Sequence, residues 1–393
     1  MTEATAGTER FPNAPSGAWA AFLACSWTWC IGMFLPVLLL RDYGMWGFVI
    51  FAVPNILGAA SVGWVIRSPE TARRMLVEHR LAIGLFSAVT IAFHVYFLAW
   101  IGSWMPGVLG LERPLVAGVL AVALAAFVGL SVASVRTLVL TSVPLWLLSG
   151  ALVGTLAGID TRTAAALPPV AIDEPALLWL APVMIFGFAL CPYLDGTFLT
   201  ARASLSNGRA KVAFGLGFGV LFFVMIVGTV LYAPLLESTL GGHTVARWVG
   251  AALLLHLLLQ SVFTISAHRR ASTLSAVPAP MLWTLLLVAA GGAVLVTRLP
   301  AHAGLSAGEI GYKAFLVFYG LVFPAFVWLF MIPGRGARST QFRVRVYAGA
   351  VGIALPMFWM GFIERQEFFL VPGVLVVLLS RLLLRTKTRV STD

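Results

Sequence analysis

Two stretches of this chain place helix-breaking and polar residues in the middle of apolar runs. One reads Phe186-Gly-Phe-Ala-Leu-Cys-Pro-Tyr-Leu-Asp-Gly-Thr197, the other Cys25-Ser-Trp-Thr-Trp-Cys-Ile-Gly-Met-Phe-Leu-Pro36. Hydrocarbon offers no water to a loosened backbone, so such breaks belong where protein or a wet cavity satisfies them. A carboxylate at the centre of a bilayer costs about 2.5–3.5 kcal/mol on insertion scales. Asp195 must therefore be protonated, bound to an ion or paired, with Arg202 one to two turns on as the nearest cation. It is a candidate for ion coupling. Trp27, Trp29, Cys30 and Tyr193 flank the two breaks and are candidates for lining an organic solute.

Two other runs carry polar stripes. Ser87, Thr90 and His94 share one helical face, as do His256, Gln260 and Thr264, four apart, with Ser261 beside them. Such faces turn to protein or a cavity rather than lipid. His94, His256 and Gln260 are candidate solute contacts, and the histidines can alternatively serve as bonded core groups or a proton relay. Ser261 and Thr264 offer hydroxyl oxygens that suit a hard cation such as Na⁺, completed by carbonyls of a loosened first run. Cys25, Cys30 and Cys191 lack Cys-x-x-Cys spacing, so neither a disulfide framework nor a zinc site is expected. No metal or organic cofactor is expected; the coupling ion is Na⁺ or H⁺. Pro54-Asn55 predicts a kink whose amide meets freed backbone groups.

These stretches belong to a chain of 393 residues that is 60% hydrophobic and only 10% charged, with a mean hydropathy of +0.96. Soluble domains carry about 25% charged residues. The pattern predicts an all-α polytopic membrane protein, one transmembrane domain over 1–393. The spans fall near 17–40, 44–67, 81–105, 114–134, 137–158, 176–203, 211–235, 246–267, 279–298, 313–333, 344–363 and 367–385. Residues 159–175 are the longest connector. The first run is longer than a signal-peptide core and reads as a retained span. With the N-terminus inside, nineteen of the 26 Lys and Arg fall on the inner side and seven outside. That bias supports twelve spans, cytoplasmic termini and a bacterial inner-membrane location. The formal charge of +11 thus reflects loop anchors near anionic lipid, Arg335 and Arg338 among them, and not nucleic-acid binding.

The first and sixth spans run in opposite senses and hold the breaks; the third and eighth hold the stripes. This suggests a five-plus-five inverted repeat, 17–158 and 176–333, with a peripheral pair at 344–385. Together with the small-residue run Tyr43-Gly-Met-Trp-Gly-Phe-Val-Ile-Phe-Ala-Val-Pro-Asn-Ile-Leu-Gly58, the pattern resembles the LeuT fold of the amino acid–polyamine–organocation superfamily, with sodium:solute symporters nearest. The resemblance implies alternating access around a central site, with an ion between spans 1 and 8. The function expected is secondary transport of a small solute, not enzymatic catalysis. A major-facilitator carrier is the main alternative, but Ile66-Arg-Ser-Pro-Glu-Thr-Ala-Arg-Arg74 lacks its glycine–acid signature after the second span. An intramembrane enzyme or sensor is a third reading. It would need His94, His256 and Asp195 to converge.

Overall fold

The computed structural model describes residues 13–157, 174–236, 247–332 and 339–384. The connector 159–175 and the basic Arg335–Arg338 stretch therefore lie mostly or wholly outside the described residues. In chain order the helices are α1 (Ser16–Trp27), α2 (Cys30–Val65), α3 (Pro69–Glu78), α4 (Arg80–Val108), α5 (Arg113–Val132), α6 (Val135–Ala157), α7 (Glu174–Leu190) and α8 (Gly196–Ser204). They continue as α9 (Asn207–Leu216), α10 (Phe223–Leu236), α11 (Arg247–Arg270), α12 (Ala279–Leu295), α13 (Ala307–Val317), α14 (Phe323–Phe326), α15 (Thr340–Phe362) and α16 (Leu370–Ser380). Short 3₁₀ and π turns join several of them. Among the described residues the sole β pairing is an isolated bridge, His302–Leu305.

Eleven helical stretches among the described residues are long and apolar enough to cross a membrane. The sequence predicts twelve passes, and the difference has a simple cause. The 36 residues of α2 would span about 54 Å, against a hydrocarbon core of about 30 Å. The helix turns back at Gly44, whose φ of 62° and ψ of −156° suit glycine and few other residues. Past the turn, Gly47 lies so close to the Leu39 carbonyl that a Cβ would sit 2.6 Å from it. The first half of α2 thus continues α1, and its second half is a separate pass.

Burial sorts the passes. In the apolar windows of α4 and α11, 72% of residues are buried, against 11% for α5 and α12. The polar stripes read from sequence lie on the two buried helices, as the cost of exposing them to lipid requires. On one face of this core α15 and α16 pack against each other, and α16 against α7. Outside the span pattern, α3 is a short amphipathic helix started by Ser68, whose side chain accepts from the Thr71 N–H, and by Pro69. It packs on α8.

Candidate functional site

The first break consists of Thr28 and Trp29, which lie between α1 and α2 with non-helical torsions. Thr28 Oγ1 donates back to the Ala24 carbonyl at 2.8 Å, and the Trp29 ring N–H donates to the Ser26 carbonyl. Other helices satisfy the start of α2. The Cys30 N–H donates to His94 Nε2 at 3.3 Å, Tyr312 donates to the Cys30 carbonyl at 3.0 Å, and Tyr232 to that of Met33 at 2.5 Å. The N–H freed at the start of α2 thus finds a partner on α4, and hydroxyls from two other helices bond carbonyls of its first turn, as a break at membrane depth demands.

The second break follows α7. A 3₁₀ turn, Cys191–Leu194, opens with Pro192 at its second residue and ends at Asp195, which caps α8. Asp195 Oδ1 accepts from the Thr197 N–H and hydroxyl, both at 2.7 Å. Gly196 allows the close approach of Ser272, to which a Cβ would come within 2.6 Å. The two breaks touch where Thr197 Oγ1 lies 3.3 Å from Ser26 Oγ. α1 packs on α8 and α2 on α7. The first half of one broken span thus meets the second half of the other, as opposite threading requires.

Asp195 is fully buried, and Arg202 is not its partner. The Arg202 guanidinium donates to the carbonyls of Ile66 at 2.6 Å and Leu205 at 3.0 Å and to Asn207 Oδ1. Asp195 Oδ2 has no hydrogen-bond partner among the described residues and faces His268 Nε2, also unpartnered, at 4.0 Å. The other nitrogen of that ring lies 3.0 Å from Ser87 Oγ. The sequence reading missed His268 and took span 8 only as far as residue 267. The signal was present, because the spacing of 256, 260 and 264 continues to 268.

At the crossing, a hollow with about 10 Å³ free to a water centre is lined by Trp27, Trp29, Ile31, Gly32, Asn55, Phe188, Cys191 and Tyr319. That is room for about one water. A slot of about 60 Å³ on the same measure shares Ile31, Phe188 and Tyr319 with it and runs past Leu35 and Leu39 to Asp42, Lys313 and Glu367. Trp29 fills most of the crossing. Its ring centroid lies 4.3 Å from that of Trp27, 5.4 Å from Phe86, 5.6 Å from His268 and 5.3 Å from Tyr319.

The remaining candidates separate. Thr264 Oγ1 lies 3.4 Å from the Cys25 carbonyl, and the buried Ser261 hydroxyl has no partner among the described residues. Hydroxyl and carbonyl oxygens are the donor type that hard cations take. His256 Nδ1 and Gln260 Nε2 both lie 2.9 Å from Ser149 Oγ on α6. Tyr193 pairs with Ser61 at 3.1 Å. None of these three lines the hollow, because their polar ends are turned to neighbouring helices. His94, His256 and Asp195 accordingly form no catalytic cluster. Asn55, expected to meet freed backbone, instead accepts from the Trp27 ring N–H at 2.6 Å. The three cysteines are free and buried, and no group of three metal-ligating side chains occurs among the described residues.

Arginines pin both ends of the first broken span. Beside the Gly44 turn, Arg41 binds Glu309 at 2.6 Å and Asp42 at 2.8 Å; Arg365 reaches Asp42 at 3.5 Å, and Tyr43 donates to Glu367. Arg41 and Glu309 also line a vestibule with about 630 Å³ free to water centres, walled by Phe34, Trp100 and Trp104. At the other end, Arg209 grips the entry to α1 through Ser16 Oγ at 3.3 Å and the Ala14 carbonyl.

Comparison with protein-family models and with curated proteins found no match. Solved structures do match. A Na⁺-coupled sialic acid symporter in a substrate-bound, outward-open state superposes with a TM-score of 0.58 at 14% identity, over 95% of this chain and 90% of that one. MhsT in complex with L-phenylalanine superposes with a TM-score of 0.52, also at 14% identity, over 95% of this chain and all of the other. The chain therefore has the LeuT fold of a polytopic all-α membrane protein, and the major-facilitator arrangement is set aside.

Proposed function

We propose that this protein is a secondary carrier that moves a small solute by alternating access, with Na⁺ as the coupling ion. One observation carries the reading: two interrupted spans, threaded in opposite senses, touch at their breaks through Thr197 and Ser26. Half-helix ends at such a crossing present dipoles and spare carbonyls to a solute or ion. The ion site would comprise the Cys25 carbonyl, Ser261 and Thr264, with Asp195 contributing negative charge nearby. The solute site would lie at the aromatic crossing, with Trp27 and Trp29 as its candidate contacts, while the Cys30 N–H and His94 are engaged with each other beside it. The reading includes a five-helix repeat at 17–158, a second at 176–333 and a peripheral pair at 344–385. It also includes a bacterial inner-membrane location with both termini cytoplasmic, supported by the distribution of Lys and Arg.

The test needs no known solute. Na⁺ bound by the folded state raises its stability by mass action. NaCl is expected to raise the unfolding temperature of the purified protein above its value in equal KCl. Thr264→Val combined with Ser261→Ala should weaken that effect at least about tenfold in Na⁺ concentration, which is one lost charge-assisted contact. Equal stabilisation by the two salts, or an undiminished Na⁺ effect in the double variant, removes the ion assignment. A Na⁺-gradient-driven current in proteoliposomes tests carriage itself.

A further inference from the structure

The space where a carried solute would sit is occupied by one of the protein's own side chains. The indole of Trp29 is 2% exposed and is walled by rings from α1, α4, α11 and the turn after α13. The hollow beside it admits about one water, so no organic molecule shares the crossing with it. The indole is held by packing more than by polar bonds. Its N–H reaches only the Ser26 carbonyl three residues earlier, and no neighbouring helix binds it by a hydrogen bond. Trp29 also lies in the two-residue break, so a change in its own torsions disrupts neither helix.

We propose that Trp29 is a displaceable stopper, and that the solute replacing it is a flat heterocycle bearing N–H donors. This deepens the carrier reading and rests on it for the purpose of the site. The shape argument comes from the stopper itself. A chamber that holds an indole between Trp27, Phe86 and Tyr319 returns most of its contact energy to planar π surfaces; a puckered sugar or a branched aliphatic chain meets the same walls poorly. The polar argument comes from the atoms the stopper leaves unserved. Asp195 Oδ2 and His268 Nε2 are fully buried, 4.0 Å apart and unpartnered, and the His268 ring is one of the chamber walls. A buried carboxylate oxygen without a donor is costly. An N–H placed about 2.9 Å from Asp195 Oδ2 removes that cost.

The test uses the full chain in lipid nanodiscs. Trp29→Ala is expected to bind indole, and to bind it at least about tenfold more tightly than 1-methylindole, the discrimination of one hydrogen bond to a charged group. Adding Asp195→Asn should cut that preference while leaving 1-methylindole binding in place. For the wild-type protein, adenine and uracil should raise the unfolding temperature and glucose and leucine should not. Trp29→Phe, which keeps the core largely filled, should respond to the same probes at lower concentration. Equal affinity of Trp29→Ala for indole and 1-methylindole overturns the proposal, as does no binding of either by a variant that keeps the wild-type circular dichroism. If Trp29→Ala does not fold, the wild-type and Trp29→Phe measurements decide. Equal shifts with flat and non-flat probes, or none with any, overturn the proposal. None of these readouts measures uptake, so failure of Na⁺-driven transport would remove the carrier reading while leaving the binding result standing.

Discussion

Pro54 removes a donor from the ladder of α2, and the next residue, Asn55, sends its side-chain oxygen to the Trp27 ring nitrogen rather than to backbone. Asn55 is 1% exposed, so replacing it with leucine leaves a buried indole N–H without an acceptor. Asn55→Leu is expected to cost about 1–3 kcal/mol, read as a lower midpoint in thermal unfolding; an unchanged midpoint would show that water replaces the amide. Asp195 was legible as a buried carboxylate, because only it combined charge with Pro and Gly inside an apolar run. Its true neighbour was not. Arg202 is nearer in sequence, but α8 carries its guanidinium to the ends of α2 and α8. His268, 73 positions away by number, arrives because α11 packs on α8.

Between elements, small residues set the distances. A Cβ on Gly58 would lie 2.0 Å from the Phe188 carbonyl, so α2 and α7 meet there backbone to backbone, one helical turn before the second break. Gly58→Ala should force the helices apart and cost about 1–3 kcal/mol. Gly118 on α5 has nothing within 4 Å of its Cβ position, so Gly118→Ala should be neutral or stabilising by about 0.5–1 kcal/mol. Thermal unfolding of the pair separates packing from propensity. The turn between α15 and α16 supplies a pH test. Glu364 accepts from His302 at 2.9 Å, and this bond holds its carboxyl below the usual glutamate range. A depressed carboxyl pKa contributes stability above the unfolded value, about 4.3, and loses it as pH falls through the lower folded value. Hydrogen exchange in residues 299–306 should therefore accelerate below about pH 4, and Glu364→Gln should abolish that acid step.

Different arginines bolt the two ends of the first broken span, Arg41 beside the Gly44 turn and Arg209 at the entry to α1. Breaking either bolt should shift the population in opposite directions. With Cys25 and Cys30 replaced by alanine, Cys191 remains as a thiol on the crossing. Arg41→Ala should raise its labelling by an impermeant thiol reagent from the outer face, and Arg209→Ala from the inner face. Labelling that rises from the same side in both variants would contradict two-sided access. The twelve passes could be counted from hydropathy and the distribution of Lys and Arg, although α1 falls below the length of a span and α2 fuses two passes across Gly44.

The sequence by itself determined the membrane class, the number of passes, the two broken spans and the helices that carry polar stripes. Each of these follows from local chemistry, because lipid penalises every unsatisfied polar group wherever it occurs along the chain. Only the tertiary structure decided which polar groups meet. His256 and Gln260 share the stripe of Thr264, yet they bond Ser149, while Thr264 reaches the break at Cys25. Spacing on a helix fixes the face a residue occupies but not the neighbour that covers it. That neighbour is set by how the helices cross.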